Sequence, residues 1–174
     1  MAYSVTPTDQ EVFFDRGDLI VSKTDIKGRI TYANRTFCNT CGYTEAELLG
    51  APHSIIRHPD MPRAVFKLLW DTVLDGREIF AYVKNLAKNG SFYWVFAHVT
   101  PSFDSKRNVV GFHSSRRLPD RQIVTTAIEP VYAAVLAEER RHQNGQAALA
   151  AGFKTVVDFL QAKNISYDEF IFSL

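Results

Sequence analysis

The sequence predicts an α+β domain in which a five-stranded antiparallel sheet carries short helices on one face. Two strand-like stretches stand near the start of the chain, several helical patterns follow, and three more strand patterns come next. This order is typical of an antiparallel sheet with its helices gathered on one side. The remaining residues are predicted to form an N-terminal cap and C-terminal helices.

The chain has 174 residues, a length that suits one domain able to fold without disulfides. Its 20 Lys and Arg residues nearly balance 19 Asp and Glu residues, which gives a net charge of +1. Such a chain lacks the strong positive electrostatic potential that attracts nucleic acid. No stretch approaches about eighteen consecutive apolar residues, and the first residues lack the features of a signal peptide. We therefore expect a cytoplasmic protein that neither inserts into a membrane nor binds nucleic acid.

The first half of the chain begins with residues 1–17, whose mixture of polar and apolar residues predicts a short amphipathic cap. Residues 19–24 and 29–33 are strand-like and are separated by a turn, which predicts a hairpin. At Asn34 the spacing of apolar residues changes from every second residue, as in a strand, to the spacing of a helix. We therefore expect Asn34 to cap a helix that begins at Arg35.

Two further helices are predicted before the second group of strands. Thr44 and Glu47 have the spacing of a capping box, so a short helix should start there and end at Gly50. Residues 63–74 place apolar side chains at steps of three and four, which predicts an amphipathic helix that Gly76 stops.

The loop between these helices, residues 50–62, is the best candidate for a ligand wall. Its three prolines forbid a continuous helix or a paired strand. A flexible linker would be rich in Gly, Ser or charge, whereas the apolar residues of this loop need burial. It should therefore fold onto a core and hold Arg57, His58 and Asp60 in fixed positions.

The second half of the core is predicted to contain only strands. Residues 79–85 and 92–99 flank Asn89 and Gly90, a pair that strongly favours a hairpin turn. A third strand is predicted at residues 109–115, after a polar turn.

The last sixty residues are helical in pattern. Residues 120–141 contain Pro130 at a place suited to the first turn of a helix, and residues 147–162 carry an apolar stripe. The stripe consists of Leu149, Phe153, Val156, Val157 and Leu160. It can pack on the domain's own sheet, form a dimer or dock on another protein, and periodicity does not separate these alternatives.

Cys38 and Cys41 form a C-x-x-C, which allows a redox pair, half of a zinc site or two small buried hydrophobic residues. A zinc site needs two more ligands in a recognisable pattern, and a thioredoxin-like pair needs a βαβ setting; the sequence has neither. We therefore interpret both cysteines as buried side chains of a short helix.

Several short sequence motifs within residues 18–141 are similar to those of one protein family. They are residues 30–34 with Phe37, residues 42–48, the R-H-P-D-M-P of residues 57–62, the V-K-N of residues 83–85, the K-N-G-x-x-Y-W of residues 88–94, and residues 128–132. The segment resembles the PAS sensor domains of aerotaxis receptors of the Aer type. The resemblance implies a PAS sensor domain at residues 18–118, preceded by a cap at 1–17 and followed by a helical extension at 119–174.

The resemblance also implies FAD held noncovalently between sheet and helices. Arg57 could then hold pyrophosphate or ribose oxygens through its planar guanidinium group. Asn34 and Asn85 could offer donors and acceptors to the edge of the flavin ring, whereas for Asp60 we place a role in holding the loop ahead of ligand contact. The full set of candidate cofactor-binding residues is Asn34, Arg57, His58, Asp60, Phe66, Trp70, Asn85 and Tyr93.

Two departures from the family pattern bear on function. Ile79 and Phe80 stand where such receptors tend to have Trp, in a wall of the flavin site. The membrane anchor, HAMP unit and signalling coiled coil of these receptors are also missing from the sequence. We therefore expect a free-standing sensor that signals to a separate chemoreceptor or other signalling protein, with a homodimer also possible.

Three functions are compatible with the residues. The first is a redox sensor whose FAD follows respiratory electron flow. The second is a haem-based gas sensor with His53, His58, His98 or His113 as axial ligand. The third is a PAS module without cofactor that only dimerises. No motif for a nucleophile with an activating base or for a nucleotide loop is present, so we do not expect an enzyme.

Overall fold

The computed structural model describes residues 5–174, which group into two compact units. The first, called the sheet unit, comprises residues 5–58 and Val73–Pro119; the second, called the helical unit, comprises Pro59–Thr72 and Asp120–Leu174. The grouping of residues 59–72 with the C-terminal helices differs from the boundaries that the sequence suggested. In those residues, the backbone at the start of a helix is capped by Glu139.

The sheet unit contains a five-stranded sheet in which all neighbouring strands are antiparallel. The strands are β1 (Ile20–Asp25), β2 (Ile30–Ala33), β3 (Ile79–Leu86), β4 (Phe92–Phe103) and β5 (Val109–Arg117). Their order across the sheet is β2-β1-β5-β4-β3. The predicted α+β fold class with five antiparallel strands is confirmed.

Both predicted hairpins are present, and side chains of the turns close them. In the β1–β2 turn the carboxylate of Asp25 accepts hydrogen bonds from the backbone N–H groups of Lys27 and Arg29, each at 2.8 Å. In the β3–β4 turn Gly90 has a φ of +91°, which glycine adopts without the steric cost of a Cβ atom. The Asn89 side chain accepts from the N–H of Ser91 at 3.0 Å.

Strands β4 and β5 extend beyond the predicted residues 92–99 and 109–115. The extensions pair with each other, from Phe96 opposite Arg117 to Phe103 opposite Val109. Pro101 is tolerated in β4 because a proline needs only a position where its missing N–H is not required. The extension of β5 brings Arg116 into the core.

The helices of the sheet unit begin where the sequence predicts. Helix α1 (Arg35–Cys41) has Asn34 as its N-cap, whose side chain accepts from the N–H of Phe37 at 3.0 Å. Helix α2 (Glu45–Leu48) has the predicted capping box between Thr44 and Glu47. Both caps are confirmed.

The proline-containing loop includes one short 3₁₀ helix, His53–Ile56, which the sequence analysis did not predict. Pro52 precedes it with a φ of −65°, the value that a proline ring imposes and that is suited to starting a single turn. Isolated bridges link Pro52 to Arg29 and Arg57 to Asn85, so the residues on either side of this 3₁₀ helix are fixed within the sheet unit.

The N-terminal segment is not helical in the described part. Residues 5–17 run beside the start of β4, with a parallel bridge from Glu11 to Phe92 and a hydrogen bond from the Val12 N–H to the Phe92 carbonyl at 2.7 Å. Phe13 is 61% exposed. Residues 1–4 of the predicted cap lie outside the described residues.

The helical unit consists of helices joined by short turns. They are α3 (Arg63–Leu74, of which residues up to Thr72 belong to this unit), α4 (Arg121–Ile123), a π-helical turn (Val124–Ile128), α5 (Glu129–Arg140), α6 (Gly145–Lys163) and α7 (Tyr167–Phe172). Pro130 lies in the first turn of α5, as predicted. Its missing N–H allows the hydrogen-bond register to change just before it.

The apolar stripe of α6 faces other helices of its own unit. Val156 and Leu160 line an apolar pocket together with Val65 and Leu68 of α3 and Val131 of α5. Part of the stripe therefore packs against helices of its own unit. Among residues 5–174, no helix combines the length and apolar character that crossing a membrane requires.

Candidate cofactor site

Strand pairing places four polar side chains on one face of the sheet, which we call the inner face. Asn85 of β3 lies opposite Tyr93 of β4, and Arg116 of β5 lies opposite both Ala97 of β4 and Ile20 of β1. Because side chains alternate along a strand, Asn85, Tyr93, Arg116 and Ser22 all belong to this face. All four residues are buried.

Arg116 is at the centre of this group and is only 2% exposed. Its Nη2 donates a short hydrogen bond to the hydroxyl of Ser22. Its guanidinium group lies 4.5 Å from the ring centroid of Phe37, a cation–π distance. Burial lowers the pKa of Arg116 to about 10, so the group still carries its positive charge at neutral pH.

His53 adds a neutral ring beside this cation. Its Nε2 is 3.1 Å from the Ser22 hydroxyl, and its ring stacks on Phe37 with centroids 6.0 Å apart. Burial of the ring and, second, the charge of Arg116 lower the pKa of His53 to about 3. The imidazole is therefore uncharged at neutral pH.

Several donors of this cluster have no hydrogen-bond partner among the described residues. They are Nε and Nη1 of Arg116 and the hydroxyl groups of Tyr93 and Thr24, all of them buried atoms. Native cores leave few buried polar atoms unpaired, and a group of them calls for a physical reason. A polar ligand that accepts hydrogen bonds on the inner face would satisfy them.

The proline-containing loop brings two more of the predicted site residues to the edge of β3. The backbone of Arg57 forms an antiparallel bridge with Asn85. The ring of His58, which is buried, meets the ring of Phe92 edge-on at 5.9 Å. The structure therefore brings together Arg57, His58, Asn85 and Tyr93.

Asn34 is engaged within the fold. Its side-chain oxygen accepts from the N–H groups of Val21 and Phe37, each at 3.0 Å, and its Nδ2 donates to the Leu19 carbonyl at 2.7 Å. Both acceptor positions of the amide are thus used. The side chain clamps β1 to α1 and so holds Phe37 against Arg116.

The other three predicted site residues belong to the helical unit. Asp60 is exposed and forms an ion pair with Arg140 at 3.5 Å. Phe66 and Trp70 are half-buried and stand one turn apart on α3.

Sequence reasoning missed Arg116 and Ser22 as site residues and named His53 only among the axial ligands of the haem alternative. A signal for Arg116 was present, because Arg116 and Arg117 are adjacent in a strand whose faces alternate. Consecutive side chains of a strand point to opposite faces, so one arginine lies on each face of the sheet. One of those faces is predicted to be covered by helices. Only the structure shows which of the two arginines is buried.

Cys38 and Cys41 are free thiols, the first half-buried and the second fully buried. Burial raises the pKa of Cys41 to about 11 and also raises the pKa of Cys38. No group of three or more His, Cys, Asp or Glu side chains suited to a metal ion occurs among the described residues.

We expect Cys41 to be almost unreactive towards iodoacetamide at pH 7.5, because only the thiolate reacts and the side chain is 0% exposed. The measurement is the alkylation rate of the Cys38→Ser variant by mass spectrometry, with the same variant in urea as control. Equal rates in the folded and unfolded states would show that Cys41 is accessible.

The chain was compared with known proteins. A family model described as the PAS fold matches residues 30–116. The aerotaxis receptor of Escherichia coli K12 is 43% identical over 117 residues, which are 67% of this chain and 22% of the receptor. A nitrogen fixation regulatory protein of Klebsiella pneumoniae is 30% identical over 104 residues, covering 58% of this chain and 21% of that protein. The chain thus spans about a fifth of the length of these relatives.

Solved structures agree on the fold. The dark-state LOV domain of the blue-light photoreceptor Aureochrome1 has a TM-score of 0.57 at 23% identity, covering 66% of this chain and 86% of that structure. A structure from a study of a flavin analogue in a light-oxygen-voltage domain has a TM-score of 0.58 at 18% identity, covering 66% and 87%. The five-stranded antiparallel sheet, the matching family model and the 43% identical receptor segment together show that the chain belongs to the PAS fold family.

Proposed function

We propose that this chain is a cytoplasmic redox sensor that binds FAD noncovalently in its sheet unit. The observation that carries the proposal is the group of buried, unpartnered donors on the inner face, at Arg116 and Tyr93. The likeness to an aerotaxis receptor supports it, because the 43% identity extends over 117 residues of this chain.

The residues present fit a flavin. Asn85, Tyr93 and Arg116 offer an amide, a hydroxyl and a guanidinium group on one buried face, which suits a flat ring with several acceptor atoms. Arg57 is half-buried at the edge of β3, where its planar fork suits phosphate or ribose oxygens. When bound, a flavin would supply reversible electron uptake.

The histidines of the haem alternative are spread over the sheet unit. His98 stacks on Phe80 at 4.1 Å and its Nε2 lies 2.6 Å from the carboxylate of Glu78, and His113 is on the same strand face as Lys23, opposite the inner face. Of these four histidines, His53 contacts the inner-face cluster through the Ser22 hydroxyl, whereas the ring of His58 meets Phe92. The buried cation beside His53 favours an electron-rich organic ligand over a ferric centre at that place.

The output of the sensor is proposed to be a contact with a chemoreceptor or another signalling protein, with self-association as the alternative. Both named relatives belong to signalling systems, one being an aerotaxis receptor and the other a regulatory protein. A ligand-dependent change in the sheet unit can bias such a contact if the two states of the ligand bind the two conformations unequally. Catalysis is not part of the proposal.

The experiment is the absorption spectrum of the purified full chain, followed by acid release and mass spectrometry of the ligand. We expect flavin bands and release of intact FAD. A Soret band would replace the proposal by the haem sensor. A colourless protein that also takes up no added FAD would leave the PAS dimerisation module.

A further inference from the structure

The charge of Arg116 has no counter-ion in the part of the chain that the structure describes. No carboxylate among the described residues pairs with it, and its one hydrogen bond within the protein goes to the neutral hydroxyl of Ser22. Five N–H groups make up a guanidinium fork, so most of its donor capacity, on Nε and Nη1, is left over.

The titratable groups that face Arg116 carry no negative charge near neutral pH. On the inner face they are Cys41 of α1, His53 of the 3₁₀ helix and Tyr93 of β4. His113, on the opposite face of β5, also interacts with the Arg116 charge; burial and then the nearby charges lower its pKa, so it too carries no negative charge. Burial raises the pKa of the Cys41 thiol to about 11 and raises that of the Tyr93 hydroxyl, so both stay protonated. His53 is neutral because its pKa is lowered to about 3.

A buried charge without a partner lowers the stability of a protein, and an apolar residue of similar size in its place often raises it. Residues that cost stability in this way are found where function requires them. The contact with Phe37 recovers only part of the lost hydration, since a cation–π contact leaves the donors of the fork unused.

We propose that Arg116 is a ligand-recognition residue, which selects a ligand that carries or takes up negative charge on the inner face of the sheet. The inference rests on the proposed function, and for FAD the charge in question is that of the ring after reduction. The backbone of Arg57 pairs with Asn85 at the edge of β3, so the two arginines would contact different parts of one ligand.

Charge balance gives this proposal a measurable consequence. When an external reductant such as dithionite delivers electrons to the bound ring, each electron that is not followed by a proton leaves one negative charge there. Arg116 would compensate this charge, so the wild-type protein should take up fewer protons than electrons near neutral pH. The pH dependence of the midpoint potential reports this ratio directly.

The pH range of the measurement can be about 5.5 to 8.5. His53 and Cys41 do not titrate in that range, because their pKa values are about 3 and about 11.

The test uses Arg116→Met in the full-length protein, with Arg117→Met as the matched control, since Arg117 is its exposed neighbour on the opposite face of β5. In flavin-free protein we expect the thermal midpoint of Arg116→Met to equal or exceed that of the wild type. Its dissociation constant for FAD should rise about tenfold or more, and its proton-to-electron ratio should move towards one. Arg117→Met should match the wild type in all three.

Opposite results would overturn the inference. A large loss of stability in flavin-free Arg116→Met, with unchanged FAD affinity and an unchanged proton-to-electron ratio, would make Arg116 a structural residue. If the wild type bound no flavin, the proposed function would be wrong. Higher stability of Arg116→Met in that case would still mark Arg116 as the binding residue for another anionic ligand, whereas lower stability would exclude that as well.

Discussion

Replacing Glu139 by Ala is expected to lower the free energy of unfolding by about 3 kcal/mol, because two backbone donors lose a charged acceptor. Glu139 is 5% exposed, and its carboxylate accepts from the N–H of Ala64 at 2.8 Å and from the N–H of Arg63 at 3.0 Å. Both donors are in the first turn of α3, where no partner within the helix exists. The carboxylate also faces the positive end of the helix dipole.

Urea unfolding, followed by circular dichroism, gives the change in stability. Glu138→Ala is the matched control, since Glu138 is the neighbouring carboxylate and pairs with Arg141 only three residues away at the surface. A surface pair of this kind contributes little, so the control should stay within about 0.5 kcal/mol of the wild type. Equal losses in the two variants would show that the cap on α3 is not what Glu139 contributes.

Gly111→Ala is expected to destabilise the protein by about 3 kcal/mol or more, because it forces two strands apart. A Cβ atom at position 111 would lie 2.3 Å from the backbone oxygen of Thr24. That oxygen belongs to β1, whose pairing with β5 joins β1 and the edge strand β2 to the other three strands. Unlike a flexible side chain, a strand in the middle of a sheet cannot move aside without losing ladder hydrogen bonds.

Gly17→Ala serves as control, since a Cβ atom there would meet no atom within 4 Å. Thermal unfolding of the two variants in parallel separates the close approach at Gly111 from the general effect of replacing glycine. The close-approach explanation fails if Gly111→Ala unfolds at the temperature of the wild type.

Local features of the fold could be predicted from the sequence because the interactions that cause them join residues close together in the chain. The Asn34 cap, the capping box at Thr44 and the turn at Gly90 each depend on residues within a few positions of one another. The same holds for the two hairpins. The strings shared with one receptor family supplied the topology that joins these elements.

Features that depend on residues far apart in the chain could not be predicted from the sequence. Glu139 stands in a run of charged residues that reads as a solvated helix end, yet its partners are the N–H groups of Arg63 and Ala64. The burial of Arg116 depends on Ser22 from β1 and Phe37 from α1. The predicted strand ended at residue 115, so alternation could be applied to Arg116 and Arg117 only after the structure extended β5 to Arg117.

The central claim is that the inner face of the sheet holds the flavin. The most direct measurement is a nuclear magnetic resonance titration of flavin-free, ¹⁵N-labelled protein with FAD, observing the side-chain Nε–H signals of Arg116 and Arg117 and the backbone amides. We expect the largest shifts for the Arg116 side chain and for the amides of Asn85 and Tyr93, with Arg117 unchanged. Shifts confined to outer-face residues such as His98, with the Arg116 signal unmoved, would contradict the claim.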